Sequence, residues 1–481
     1  MGPTTESTAG VTTEPSGPSS TRPPDGSAAT NRHPVEGPVP DASTDDVDDD
    51  VFGGLGDPRI DVHHYDVTVE VAAGSDQIRG RTSLTLSART AGPLVSFTLD
   101  LRGPTVSTAS VDGAPAVVSP AGADEITIRP GRPLEPGRTA TVELTYAGAP
   151  RATRFEAYDE LMGWHGDGAG GWFALSEPTG TSTWTPVNEH PSDKATWRIT
   201  LVTPPELTGV ANGRLVSSEP VGATRRWVWD QDQPMTPYVT LVAVGRYHLL
   251  QRATTIDARP VRVVVALPET LGPRADHAFD RLDPMLDWFA RRFGPYPDDD
   301  AGAIVVPPDI GLAMETQTRP AFGSTAVADG EPWALAHELA HLWFGDEVSP
   351  ARWRDLWLNE GFATYAEYLW AEHDQGADLH DLVEDPGLSL NGSDLAPTDV
   401  AAARSFDPAV YGNGARALYA LRLLVGDDRF DTILRAWVAE QGGGTATTDD
   451  FVNLAERVSG RDLTTWRATY VDGGGRPPLP R

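Results

Sequence analysis

His337-Glu338-Leu339-Ala340-His341, with Glu360 nineteen residues further on inside Leu356-Trp357-Leu358-Asn359-Glu360-Gly361-Phe362-Ala363, constrains this chain more than any other stretch. Residues four apart on an α-helix are rotated by about 40° and raised by about 6 Å, so both imidazoles leave one face and can share a metal. Glu338 sits beside them as a general base. A third, anionic ligand from a second helix completes a two-His, one-Glu set and leaves the fourth tetrahedral position for water. That is the arrangement of a catalytic rather than a structural zinc. One zinc ion per chain and a metallohydrolase are therefore expected.

An H-E-x-x-H string also arises by chance on helices whose histidines pack or face solvent, so its neighbours decide. Glu331-Pro332 suits a helix start with Pro in the first position. Trp333, Leu335, Ala336, Leu339, Ala340 and Trp343 make the helix largely apolar up to Gly345. Gly345 to Arg354, with Pro350, forms the turn, and a second helical pattern runs from about Asp355 to about Glu372 with Glu360 near its beginning. Two such helices pack antiparallel and bring the three ligands together.

These residues carry a resemblance. Ala336 to Asp346 together with Leu356 to Thr364 resembles the core signature of peptidase family M1, the zinc aminopeptidases, and the His341 to Glu360 spacing is that of the family. Upstream, Gly311-Leu312-Ala313-Met314-Glu315-Thr316 is similar to the family's G-A-M-E-N exopeptidase motif. Downstream, Val410-Tyr411-Gly412-Asn413-Gly414 is similar to the Y-E-K-G segment that holds its catalytic tyrosine. Asp61 to Val67, and Glu177-Pro178 through Trp184 to Ala195, resemble its N-terminal β-domain. The likeness covers roughly residues 56 to 480.

The resemblance implies a multidomain α+β chain, in which an N-terminal antiparallel β-rich, saddle-like domain precedes a thermolysin-like, mainly helical catalytic domain. It implies peptide substrates with free N-termini, Tyr411 as a donor to the oxyanion, and Glu315 and Glu177 as partners of the substrate's α-ammonium, with Ala313 and Met314 beside the peptide. Two departures stand out: Leu312 and Thr316 replace the outer residues of G-A-M-E-N, and Gly412-Asn413 replaces Glu-Lys. Both bear on how a peptide backbone lies beside the metal.

Periodicity agrees with this organisation. From Ile60 to about Leu250, short alternating runs such as Tyr65–Val71, Arg81–Leu86, Thr139–Tyr146 and Thr196–Val202 read as half-buried antiparallel strands. After a strand at Val261–Ala266, helical patterns dominate: Asp276–Phe293, the two metal helices, Gly414–Val425, Phe430–Glu440 and Thr448–Val458. The expected boundaries are a linker at 1–55, a β-domain at 56–250, and a catalytic domain with C-terminal helices at 251–481. A large C-terminal domain found in longer family members is expected to be missing or reduced.

A formal charge of −31 without a basic stripe argues against nucleic-acid binding. Cysteine is absent, which removes disulfides and thiolate metal sites. No run of about twenty apolar residues occurs, so no transmembrane segment is expected. Residues 1 to about 55 are rich in Ser, Thr, Pro, Gly and Asp and read as a disordered tether. Their start, without an apolar targeting stretch, points to a removed secretion signal or lipid anchor and so to an extracellular or cell-surface location, with a cytoplasmic one as the alternative. No feature sets an oligomeric state.

Other histidines, among them His63, His64, His190, His373 and His380, lack ligand spacing and are expected to pack or face solvent. Thr364 or Asp355 is expected to orient a ligand from outside. Competing readings are a zinc endopeptidase, a hydrolase of a non-peptide substrate such as an epoxide, a non-catalytic scaffold, and a different metal in the same site.

Overall fold

A computed structural model describes residues 49, 51–72, 74–151, 153–155, 160–272, 277–307, 310, 313–325, 332–385, 388 and 393–481. Residues Asp46–Arg481 form one compact unit. Most of the expected tether, together with Gly311, Leu312 and Glu331, lies outside the described residues. The folded part starts before residue 56, because Asp49 is buried and accepts hydrogen bonds from the backbone N–H of Val51 at 2.8 Å and of Trp353 at 2.7 Å.

The alternating runs form an eight-stranded sheet in the spatial order Arg214–Val221, Thr224–Met235, Ala195–Thr203, Ile60–Val71, Ile78–Ala88, Thr139–Gly148, Thr105–Val111 and Ala114–Pro115. The alternation is plainest in Ile78–Ala88, where every second side chain is buried, as expected when one face meets the core. One pairing departs from the antiparallel expectation: Ile60–Val71 runs parallel to Ala195–Thr203, with Tyr65 opposite Trp197. Period-two patterning fixes which face is buried but not strand direction. Strands so far apart in sequence are also free of the hairpin constraint that forces antiparallel pairing. The stacked Tyr65 and Trp197 rings, 3.9 Å between centroids, cover this junction.

Two smaller sheets complete the β-rich part: Thr208–Ala211, Leu241–Gly245, Trp172–Leu175, Glu160–Gly166 and Thr153–Phe155, and a three-stranded sheet of Phe97–Asp100, Glu125–Arg129 and Val117–Ala121. A further five-stranded sheet leads into the helical part, in the order Tyr247–Ile256, Arg259–Pro268, Asp300–Val306, Ala321–Gly323 and Ala313–Met314. Its first strand runs through residue 250, so the expected change of character there falls inside a hairpin that pairs Tyr247 with Pro268. The sheet's last strand, Ala313–Met314, is an edge and carries Glu315 directly after it.

Helices Leu282–Phe293, Pro332–His341, Trp357–Gln375, Gly414–Val425, Asp427–Gln441 and Thr448–Ser459 build the rest. The first begins at Leu282, later than the pattern from Asp276 predicted. The last is closed by a capping box in which Thr447 and Asp450 bond each other's backbone N–H. Helix Trp357–Gln375 is buried from Trp357 through Ala371, which the apolar, small-residue sequence permits. Among the described residues no helix is long and apolar enough to cross a membrane.

Candidate active site

The sequence places His337 and His341 one turn apart on helix Pro332–His341, and their rings lie edge to face with centroids 4.7 Å apart. The packed helix Trp357–Gln375 brings Glu360 to them. Its Oε2 lies 3.1 Å from His337 Nε2 and 3.5 Å from His341 Nε2. Atoms about 2.0–2.2 Å from one tetrahedral centre stand roughly 3.3–3.5 Å apart, so the three donor atoms fit a single zinc ion. One donor atom from each of the three residues lies within 4.8 Å of the others.

The far ring nitrogens are occupied. His337 Nδ1 lies 2.6 Å from Glu367 Oε1, and His341 Nδ1 lies 3.0 Å from the Phe344 carbonyl. With protons on both Nδ1 atoms, both Nε2 lone pairs face the shared point, which is the tautomer a metal needs. Glu367 had no place in the sequence reading. It stands seven residues after Glu360, two turns along the same helix face, and that spacing is the signal that would have found it. The two candidates named from sequence do something else. Asp355 accepts hydrogen bonds from Thr448 N–H and Oγ1 at 2.9 and 2.7 Å, which anchors the last helix. Thr364 is buried with no hydrogen-bond partner for its hydroxyl among the described residues.

Close helix crossing sets the remaining geometry. A Cβ on Gly361 would stand 2.9 Å from the Gly414 backbone, and one on Gly414 would stand 2.9 Å from Gly361 Cα. Only glycine at both positions lets the helix carrying Glu360 touch the segment carrying Tyr411. Tyr411 sits in a single π-type turn, Ala409–Asn413, with its ring 6.0 Å from that of His337 and inclined by 25°. Of the two replacements beside it, Asn413 donates from Nδ2 to the carbonyls of Ser393 at 3.1 Å and Leu395 at 2.9 Å, so it fastens this turn to the neighbouring loop.

Glu338 is 5% exposed, and its Oε2 has no hydrogen-bond partner among the described residues. Burial pushes its carboxyl up to about 8, against the lowering influence of His337 and His341. At Glu360 the same desolvation is outweighed by the two imidazoles, which hold the carboxyl down at about 2. Desolvation opposes charge on His337 and His341 as well, yet Glu360, joined at His337 by Glu367, raises both. The folded chain thus concentrates negative charge where a cation fits, and a divalent ion would replace these protons.

Glu177 and Glu315 converge on the same place. Each contributes a carboxylate oxygen within 4.8 Å of the other and of Glu360, and both are buried. Glu315 is raised by desolvation, with His341 lowering and Glu360 raising it further. Its position follows from the chain around it. Ala313 and Met314 pair with Phe322 and Ala321, Thr316 Oγ1 closes a turn on the Arg319 carbonyl at 2.6 Å, and Thr316 N–H donates to the Met314 carbonyl at 2.9 Å. Thr316, a departure from the family pattern, is thereby part of the turn that holds Glu315.

Two further residues were missed from sequence. Tyr238 donates to the Gly345 carbonyl at 3.1 Å and accepts from Asn359 Nδ2 at 2.9 Å, joining the end of one metal helix to the start of the other. Lys194 bonds the loop between them. The other histidines stand apart from the metal set: His63 meets Ser87, His64 meets Thr196, His190 meets Ser192, His373 stacks on Trp288, and His380 lies against Tyr419.

A buried two-His, one-carboxylate set beside a buried Glu whose Oε2 has no hydrogen-bond partner among the described residues defines a metallohydrolase centre, here built between a β-rich part and a helical part. Comparison with known proteins agrees with that class. Residues 62–239 match the Peptidase M1 N-terminal domain and residues 278–470 match the Peptidase family M1 domain. The chain belongs to peptidase family M1, whose catalytic metal is zinc. A mutant M1 zinc metallopeptidase from Deinococcus radiodurans bound to a Tyr-Ser-Ala substrate superposes with a TM-score of 0.83 and 32% identity, covering 90% of this chain and 99% of that one. Aminopeptidase N of Streptomyces lividans is 29% identical over 323 residues, 60% of this chain and 36% of that protein. Aminopeptidase M1-A of Oryza sativa subsp. japonica is 28% identical over 391 residues, 76% of this chain and 44% of that protein. The chain therefore spans less than half the length of these two relatives.

Proposed function

We propose that this chain is a zinc aminopeptidase that removes N-terminal residues from short peptides. The observation that carries the reading is the convergence of Glu177 and Glu315 beside Glu360. Buried carboxyls so close are relieved either by a proton or by a cation, and a cation beside the metal ligands matches a substrate's α-ammonium. The edge strand Ala313–Met314 offers backbone groups along which an extended peptide can pair. A blocked N-terminus brings no ammonium to the carboxylates, which favours exopeptidase over endopeptidase chemistry.

His337, His341 and Glu360 would hold a zinc ion, which would supply a Lewis acid and a bound water of near-neutral pKa. Glu338 takes the proton of the attacking water. The Tyr411 hydroxyl donates to the oxygen that becomes negative as the scissile carbonyl turns tetrahedral. Glu338 then returns its proton to the departing amine, so one carboxylate acts as base and then as acid. Glu177 and Glu315 hold the ammonium and fix which peptide bond lies over this machinery.

A panel of aminoacyl chromogenic substrates, each with and without an N-terminal acetyl group, tests the reading. Hydrolysis confined to the free amines is expected, and equal rates on the acetylated set would refute it. In the Glu315→Ala variant kcat/KM for free amines falls by about 10²-fold while that for acetylated substrates does not, so discrimination collapses. Tyr411→Phe lowers kcat by roughly 10²–10³-fold with KM changed far less, the size expected for one lost donor to an oxyanion. An unchanged kcat would remove Tyr411 from the reaction.

A further inference from the structure

Lysine occurs once in this chain, at position 194, where the other 37 of the 38 basic residues are arginine. A sequence that elsewhere uses arginine throughout keeps an ammonium here, and the local geometry gives a reason. Lys194 Nζ donates to the carbonyls of Asp346 at 2.7 Å, Glu347 at 2.9 Å and Gly444 at 3.4 Å. Three acceptors use all three N–H groups of an ammonium. The contrast is Arg319, which is fully buried and whose guanidinium reaches the carbonyls of Val264, Ala211 and Gly213 while lying 4.7 Å from the Trp229 ring centroid. A flat fork suits that fan of acceptors and a stacked ring. Burial lowers the Lys194 pKa to about 8, with Glu347 and Asp346 raising it, so the ammonium predominates at neutral pH.

Two of the carbonyls that Lys194 grips, those of Asp346 and Glu347, belong to the tight loop after helix Pro332–His341, and the third, that of Gly444, belongs to the turn after helix Asp427–Gln441. Asp346 N–H donates back to the His341 carbonyl at 3.0 Å, and Ser349 Oγ donates to the Gly345 carbonyl at 2.6 Å. The loop lies hard against the ligand, since a Cβ on Gly345 would stand 3.2 Å from His341 Nδ1 and 3.3 Å from Asn359 Nδ2. It also presents the Phe344 carbonyl that His341 Nδ1 meets at 3.0 Å. A shift of this loop therefore moves the group that sets the tautomer and tilt of a metal ligand.

We propose that Lys194 is a positioning residue of the metal centre: its ammonium, reaching over from the position just before the strand Ala195–Thr203, clamps the 344–349 loop so that the Phe344 carbonyl holds His341 in its ligating orientation. The claim deepens the zinc peptidase reading and rests on it. The hydrogen bonds of Lys194 Nζ go to backbone carbonyls, and it acts through them.

The test compares Lys194→Met, Lys194→Gln and Lys194→Arg with a chemically restored lysine. Because the chain has no cysteine, Lys194→Cys carries a single thiol. Its sulfur displaces bromide from 2-bromoethylamine in the unfolded chain, giving after refolding a side chain of lysine's length with the ammonium in place. Zinc release to a chromogenic chelator is followed in each protein, alongside kcat and KM. Release is expected to be about 10–100-fold faster in Lys194→Met, with kcat reduced on the same scale, KM changed little, and both restored in the aminoethylated protein but not in Lys194→Arg. Wild-type zinc release and kcat in Lys194→Met, with only a lower Tm, would overturn the proposal and leave Lys194 a structural strut. If Lys194→Met does not fold, Lys194→Gln carries the same comparison, with the same outcome decisive. Zinc release needs no substrate, so a wild-type protein that binds zinc yet hydrolyses no peptide sinks the aminopeptidase reading and leaves this test intact. A protein that takes up no zinc sinks both.

Discussion

Glu338→Gln is expected to lose roughly 10²–10⁴-fold in kcat, the range for a positioned general acid–base, while keeping its full complement of zinc. Glu338 is not one of the three groups that close on a common point, so its replacement by an amide of the same shape leaves His337, His341 and Glu360 undisturbed. What disappears is the proton acceptor. The wild-type carboxyl is buried, with one oxygen unpartnered among the described residues, and burial pushes it up to about 8. A dication held by the three donors would draw that value down and ready the carboxylate to accept a proton. Metal analysis beside steady-state kinetics checks both halves. Loss of zinc in this variant would make Glu338 a ligand, and a near-normal kcat would require another base.

Glu360→Ala is expected to abolish both zinc retention and turnover. It removes the only anion among the three donors and leaves two imidazoles whose protonation is no longer opposed by a metal. The loss in zinc affinity should exceed the roughly 10–100-fold that follows changes one step further out. Glu367→Gln, which alters the partner of His337 Nδ1 at 2.6 Å, should show that smaller effect. Competition with a chelator of known affinity ranks wild type, Glu367→Gln and Glu360→Ala in that order. Equal affinities in Glu360→Ala and wild type would mean that the metal is held by other residues.

The metal helices were legible because the chemistry leaves little freedom. Two ligands one turn apart need a helix, and an apolar stretch around them needs a second element to pack against. Gly345 and Pro350 mark where the first helix stops and the connection through residues 342–356 to the second begins. The pair of small residues at Gly361 and Gly414 was present in the sequence but silent, since their use depends on a crossing between elements distant along the chain. Strand direction was silent for a related reason: alternation in Ile60–Val71 records its buried face, and its parallel neighbour Ala195–Thr203 is distant in sequence. Glu367 lay within reach of helical arithmetic, whereas Tyr238 and Lys194 did not, because each acts on backbone carbonyls of a remote loop. Thr364 and Asp355 were proposed on proximity in sequence to Glu360, and proximity along a helix does not decide which side chain faces the ligand. Glu177 and Glu315 came from the family resemblance, and the fold brings both to Glu360 from different parts of the chain.

The most direct measurement is a crystal of the zinc-loaded protein with data collected on both sides of the zinc absorption edge. One anomalous peak is expected, about 2.0–2.2 Å from His337 Nε2, His341 Nε2 and a Glu360 oxygen, with Glu338 beside it but not bonded to it. A peak elsewhere, or none in a protein shown to carry stoichiometric zinc in solution, would contradict the account.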